Sequence, residues 1–267
     1  MDCVSVGEGI LGRRLMKQFK PEKIQENWDQ LIQLIEDTFE GERKEKLLKM
    51  YDHFEERMMM APASGQAHFH LCTAGGYVQH ILNIVHYTKL FYEVWKTNDA
   101  TIDNYTEEEL IFAAMHHDLG KVGDLSDDHY VPNDSEWHIK NQGKYYNNNP
   151  DLQFMTPPDR GIWILNQFDI KITMNEMIGI KLTDGMYDEG NIQYLKAYAP
   201  EKKLKTNMPH ILHQADMTTT RIEYEMWVRG DLFEEDEVKD PVVVKKEKTE
   251  QSKKANEMFK ELFGEDK

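Results

Sequence analysis

An imidazole and a carboxylate stand side by side in the middle of this sequence, at His117 and Asp118. They fall in the stretch EEELIFAAMHHDLGK, residues 107–121, which ends at Lys121. At the end of a helix both side chains can reach one cation, and imidazole nitrogen and carboxylate oxygen are good ligands for divalent metal ions. The stretch is therefore a candidate metal site, which other parts of the chain must complete.

Three predicted helices carry the residues that could form this site. Thr106 and Glu109 match a capping box, which predicts that the helix carrying His117 begins just after Thr106. His80 lies on a second predicted helix, where a buried imidazole needs a partner; a backbone carbonyl would be the ordinary one. Asp216 lies on a third, among apolar and small residues, where an unpaired carboxylate would be costly. A cation would satisfy that carboxylate.

Composition limits the class of protein. The chain has 267 residues, of which 40% are hydrophobic, so it can bury a core. Its formal charge of −16 argues against binding of duplex nucleic acid, because phosphate contacts need clustered Lys and Arg. Cys3 and Cys72 predict no disulfide framework, which suits a reducing cytoplasm. Without a signal-peptide pattern or an apolar run of roughly 20 residues, we expect a cytoplasmic protein that makes no membrane contact.

Apolar periodicity predicts a mostly helical chain in three parts. Residues 1–62 form an N-terminal helical hairpin packed on the core, residues 63–229 the main domain, and residues 230–267 a charged, mobile tail. No stretch shows convincing strand alternation, so the expected fold class is all-α. The tail ends in an amphipathic segment at 255–263, which could fold back on its own domain or dock on a protein partner. The polar stretch 121–160 is either a lid or wall of the site or a solvated loop.

Three segments resemble one known family. GGYVQH at 75–80, AAMHHDLGK at 113–121 and ILHQADM at 211–217 are similar to the ligand-bearing segments of the HD superfamily of metal-dependent phosphohydrolases. The His-containing stretch before the Gly pair is most similar to the HD domain of bacterial 3′-to-5′ exoribonucleases, and the resemblance spans residues 68–225. It implies an HD-domain helical bundle that hydrolyses a phosphate ester or anhydride, most often in a nucleotide.

The resemblance also implies roles for individual residues. The cofactor would be a divalent transition metal (Mn, Fe, Co, Ni or Zn), with one ion expected and two possible, and fixed cations nearby would stabilise phosphoryl charge. Asp118 and Lys121 are the implied catalytic residues. The implied metal ligands are His80, His117, Asp118 and Asp216, the implied substrate contacts are Lys121, Arg221, His70 and His138, and His116, His210 and His213 would support them or pack.

Two departures from the family pattern leave alternatives open. Thr183-Asp184-Gly185 stands where the exonuclease-like family has His-His-Gly, and His138 stands where two-metal members place an additional His. A second metal bound by His138 and Asp184 is one interpretation; a mononuclear site with His138 as a substrate contact or loop residue is the other. The alternatives to a nucleotide phosphohydrolase are a 3′-to-5′ exonuclease or phosphodiesterase on short single strands or cyclic nucleotides, a di-iron HD-type oxygenase, and a metal-stabilised regulatory protein without turnover.

Overall fold

The computed structural model describes residues 18–229, which form nine α-helices and one small β-hairpin. The first 17 residues of the N-terminal segment and the whole predicted tail, with its amphipathic end, lie outside the described residues. The helices are α1 (Pro21–Thr38), α2 (Gly41–Met60), α3 (Gly76–Thr97), α4 (Glu107–His116), α5 (Glu136–Gln142), α6 (Pro157–Gln167), α7 (Met174–Leu182), α8 (Ile192–Leu195) and α9 (Met208–Arg229).

The core is made by α3, α4, α7 and α9, with α1 and α2 packed on one side. α3 lies against both α9 and α4, and α4 lies against α7. Ile84 of α3, Phe112 of α4 and Leu212 of α9 are fully buried in one apolar cluster, which extends to α1 and α2 through Trp28 and Tyr51. The rings of these last two residues have centroids 6.2 Å apart. The bundle brings the first turns of α3, the end of α4 and the middle of α9 to one place.

Two glycines permit close backbone approaches beside that place. A Cβ on Gly76, the first residue of α3, would lie 2.2 Å from Leu71 O. A Cβ on Gly120, just after α4, would lie 2.1 Å from Pro157 O at the start of α6. Since neither distance tolerates a side chain, both sites require glycine, and α6 can pack directly against the turn that follows α4.

Within residues 18–229, the only paired β-strands lie in the polar stretch 121–160. Strands β1 (Tyr130–Pro132) and β2 (Tyr146–Asn148) pair antiparallel, with Val131 opposite Asn147, and α5 lies between them. The mostly helical class is confirmed, but the expectation of no strands is wrong at this place. Three-residue strands are too short to show alternation, so periodicity could not reveal them.

Candidate metal centre

The end of α4 places the His117 and Asp118 side chains. The predicted capping box is confirmed: Glu109 N donates to Thr106 Oγ1 (3.1 Å), and Thr106 N donates to Glu109 Oε2 (2.8 Å). The α-helix ends one residue before His117, and the chain continues into a short 3-10 turn. A hydrogen bond from Lys121 N to Asp118 O (2.8 Å) closes this turn. The turn keeps Asp118 and Lys121 together at the end of the helix.

Two other helices bring His80 and Asp216 to the same point. His80 Nε2, on α3, lies 3.7 Å from Asp118 Oδ2 and 3.7 Å from Asp216 Oδ1 on α9. His117 Nε2 lies 3.4 Å from Asp118 Oδ2. Ligand atoms of His80, His117 and Asp216 all lie within 4.8 Å of one another. The structure thus brings together all four residues that the family resemblance implied as ligands, and three of them, His80, His117 and Asp216, form a group that could hold a metal ion.

Glu223 is part of this centre and was not identified from the sequence. Its Oε2 accepts hydrogen bonds from Nδ1 of His70 (2.7 Å) and from Nδ1 of His80 (2.8 Å). Burial alone would raise the pKa of Glu223, but the two imidazoles lower it to about 2, so the group is a carboxylate at neutral pH. Nδ1 of His80 must then carry a proton. Its Nε2 is therefore the ring nitrogen that faces Asp118 and Asp216.

His70, His80 and Glu223 form a second buried group of side chains that could hold an ion. Their closest atoms are 2.7 and 2.8 Å apart, which are hydrogen-bond distances. Ligand atoms bonded to one metal at about 2.1 Å each would normally lie farther apart than this. We therefore interpret Glu223 as the support of His80. Glu223 follows Asp216 by two helical turns and shares its helix face, but that spacing alone does not distinguish it from a solvent-facing acid.

His117 provides a direct test of whether a cation fits. Its Nδ1 donates to Ala114 O (2.8 Å), and its buried Nε2 makes no hydrogen bond to any described residue. Burial alone would lower the pKa of His117, but Asp118 and Asp216 raise it to about 9. Negative charge that favours a proton on Nε2 equally favours a divalent cation there. Two imidazole nitrogens and two carboxylates suit a borderline-to-hard ion, so the residues fit a transition metal.

Lys121 places a fixed positive charge beside the centre. Its Nζ lies 2.6 Å from Asp118 Oδ2 and donates to Ala63 O (3.2 Å). Burial opposes both charges, but the pair overcomes it: Asp118 raises the pKa of Lys121, and Lys121 with His117 holds the pKa of Asp118 well below its usual range. Both groups are therefore charged at neutral pH.

A cavity of about 1310 Å³ opens over this centre. Lys121 and Asp216 line its inner part, and His70 and the exposed Arg221 line it as well. Three of the four implied substrate contacts therefore face one cavity. The fourth, His138, lies exposed on α5 with its ring against Trp137 (centroids 5.2 Å apart).

The second-metal hypothesis gains no support from these positions. Asp184 lines the cavity after α7, and burial together with the charge of Asp118 raises its pKa. Among the described residues, no group of three or more ligating side chains includes Asp184 or His138. His213 also faces the cavity, and its Nδ1 donates to Thr183 O (2.8 Å). A second ion thus stays a prediction.

Two other histidines make contacts typical of packing. His116 is fully buried, donates from Nδ1 to Phe112 O (2.7 Å) and lies 3.3 Å from Tyr51 Oη through Nε2. Burial lowers its pKa to about 3, so it is neutral at physiological pH. The ring of His210 stacks parallel to that of Trp95, with centroids 6.3 Å apart. His116 thus packs inside the bundle, whereas His210 is exposed and packs on Trp95.

The stretch 121–160 forms a wall of the cavity. Tyr130 and Tyr146 of the hairpin both line it. Arg160, which is only 4% exposed, ties this wall to the metal-site turn by donating to Gly120 O (3.0 Å) and to Gln153 O (3.1 Å). Of the two expectations for this stretch, the wall is the one that the structure supports.

Comparison of the chain with protein-family models, with curated proteins and with solved structures found no match. Among residues 18–229, no helix is both long enough and apolar enough to cross a membrane.

Proposed function

We propose that this protein is a metal-dependent phosphohydrolase of the HD type, which cleaves a phosphate ester or anhydride of a nucleotide. One observation carries the proposal: His80, His117, Asp118 and Asp216 converge from three helices, with buried imidazole nitrogens facing carboxylates. Lys121 stands beside them at the inner end of a large cavity. The order of the four residues along the chain is that of the HD pattern.

The four side chains would hold one divalent ion and leave coordination positions for water and substrate. When bound, such an ion lowers the pKa of water and draws charge from phosphoryl oxygens. The chain's own groups supply positioning and charge. Glu223 orients the His80 ring, the Lys121 ammonium stabilises negative charge on phosphate, and Arg221 on α9 offers a second cation at the cavity wall.

The ligating atoms fit the proposed class of divalent transition metals but do not single out one metal. Imidazole and carboxylate suit Mn²⁺, Fe²⁺, Co²⁺, Ni²⁺ or Zn²⁺. The di-iron oxygenase alternative requires further ligands for a second ion, and the exposed position of His138 gives it no support. The alternative of a 3′-to-5′ exonuclease or phosphodiesterase would cleave a phosphodiester in a short single strand or a cyclic nucleotide. The size of the cavity bears on the length of strand that could be held.

The first experiment measures bound metal. Wild-type protein, purified with each of Mn²⁺, Co²⁺ and Ni²⁺ in turn, should retain about one ion per chain by elemental analysis. The Asp118→Ala variant should lose it. The matched control is Asp134→Asn, because Asp134 lines the same cavity outside the ligand group.

Activity is then measured on a panel of nucleoside monophosphates, diphosphates, triphosphates and cyclic nucleotides. We expect release of phosphate or nucleoside that needs the metal and disappears in Asp118→Ala. Failure of wild-type protein to retain any of these three ions, or Fe²⁺ or Zn²⁺ supplied in the same way, together with no metal-dependent release, would overturn the proposal. Circular dichroism of Asp118→Ala shows whether its loss reflects the site or the fold.

A further inference from the structure

The cavity is larger than one small ligand requires, and exposed aromatic rings line it. Its volume of about 1310 Å³ exceeds the roughly 300–1,000 Å³ of most small-molecule pockets. Phe69 and Tyr187 line it although their side chains are 52% and 75% exposed. Large exposed rings at a concave surface are suited to stacking on a planar ligand group, such as a nucleobase.

The two rings belong to different loops and form separate surfaces. Phe69 precedes His70 in the loop that leads into α3, and its nearest ring is that of His68, with centroids 4.4 Å apart. Tyr187 lies in the turn after α7, where its ring centroid is 6.0 Å from that of His213. Phe69 and Tyr187 therefore do not stack on each other. Each can hold its own planar group.

The polar lining is consistent with a ligand that has a backbone between two bases. Lys144 and Arg221 line the cavity in addition to Lys121, although the chain as a whole carries a charge of −16. Asn147 and Asn148 on β2 add amide groups that can both donate and accept hydrogen bonds. Asp134 and Asp184 also line the cavity, so its cations are local rather than part of a basic groove.

We infer that this cavity binds a ligand of two nucleosides joined through phosphate, with one base stacked on Phe69 and the other on Tyr187. The inference rests on the proposed function for the position of the phosphate, near Lys121 and the metal ligands. Aromatic stacking on both sides would make these two residues the determinants of substrate length. A mononucleotide could use only one of the two rings.

The test is a binding measurement that needs no turnover. The probes are an adenosine dinucleotide with a methylene group in place of one bridging oxygen, and adenosine 5′-methylphosphonate as its single-nucleoside counterpart. Isothermal titration of the metal-loaded wild-type protein should give a Kd for the dinucleotide that is lower by on the order of 10- to 100-fold, since each stacked base contributes in this range. A four-nucleotide analogue should bind no tighter than the dinucleotide.

Matched variants assign that preference to the two rings. Phe69→Ala/Tyr187→Ala should bring the two Kd values within about threefold of each other, whereas Phe69→Tyr/Tyr187→Phe should keep the preference, because stacking needs only an aromatic face. The control is Phe154→Ala/Tyr198→Ala, which removes two rings that are 84% and 89% exposed and lie outside the cavity lining.

Three results would overturn the inference: equal affinities in wild-type protein, a preference that survives loss of both rings, or affinity that keeps rising with length. Each can occur while the metal content and phosphate release remain intact, which would leave the proposed function standing. Conversely, a ring-dependent preference in a protein that retains metal but cleaves neither the nucleotide panel nor the unmodified dinucleotide, whose hydrolysis gives a mononucleotide and a nucleoside, would support the binding site and contradict the phosphohydrolase.

Discussion

At the scale of single residues, Glu223 controls how His80 can act. Its carboxylate holds the proton of His80 on Nδ1, so Nε2 is free to bind an ion. Glu223→Gln keeps the shape but removes the charge, and we expect metal affinity to fall by about 10- to 100-fold. Competition with a fluorescent chelator measures this. Glu225→Gln, an exposed position on the same helix, is the control. Unchanged affinity in Glu223→Gln would show that the carboxylate does not tune the ligand.

Lys121 is expected to act on the substrate and not on the metal. Lys121→Met should lower kcat by on the order of 10²- to 10³-fold, the usual cost of removing one fixed donor to developing charge. Metal affinity should stay the same or increase, because the ammonium no longer competes for Asp118 Oδ2. Lys140→Met, on the exposed face of α5, should change neither quantity. Loss of bound metal in Lys121→Met would instead assign the residue a structural role.

At the scale of elements, helix boundaries were predictable where capping chemistry marks them. The predicted box at Thr106 forms, and the same sequence pattern at Thr173 and Glu176 forms a second box; α4 and α7 begin directly after these two threonines. Short strands and long-range polar contacts carry no such local mark. Glu223 resembles any solvent-facing acid in the sequence, and only the packing of α3 against α9 turns it towards His80. Pattern could therefore predict the ligands but not their support.

An ion pair links α2 to α7, and its arginine also packs on α4. Arg43 on α2 lies 2.5 Å from the fully buried Glu176 on α7, and its guanidinium covers the Phe112 ring of α4 at 4.1 Å. Burial raises the pKa of Glu176, and Arg43 counteracts this. Arg43→Met would leave a buried carboxylate unpaired, so the free energy of unfolding should fall by about 3–5 kcal/mol. Urea denaturation followed by circular dichroism measures this loss.

The double variant separates the ion pair from simple packing. In Arg43→Met/Glu176→Gln, part of the lost stability should return, because no uncompensated charge remains in the core. Lys140→Met breaks an exposed pair with Glu136 (2.8 Å) and should leave the urea midpoint unchanged. The single variant Glu176→Gln is measured as well. If the losses in free energy of unfolding of the two single variants add up to that of the double variant, the ion pair does not hold α2 to α7.

At the scale of the whole molecule, the net negative charge of the chain repels an anionic ligand, whereas the cationic side chains of the cavity attract it. The chain carries −16, and the cavity concentrates its positive charge on a few side chains. A protein that holds nucleic acid by many phosphate contacts loses affinity steeply as salt rises. Here the anionic ligand must approach a negative molecule, and the repulsion is screened once the Debye length falls to about 10 Å. Salt should therefore weaken binding little.

We accordingly expect the Kd of the dinucleotide analogue to change by less than about threefold between roughly 20 and 200 mM KCl, because screening reduces local attraction and global repulsion together. Isothermal titration at four salt concentrations gives the slope, and electrophoretic mobility of duplex DNA, expected to be unshifted, gives the comparison. A tenfold or steeper loss of affinity with salt for the four-nucleotide analogue, titrated over the same range, would mean that several phosphates are held by side-chain cations. That result would favour a strand-binding nuclease over a small-nucleotide hydrolase, because only an extended backbone presents so many charges to one cavity.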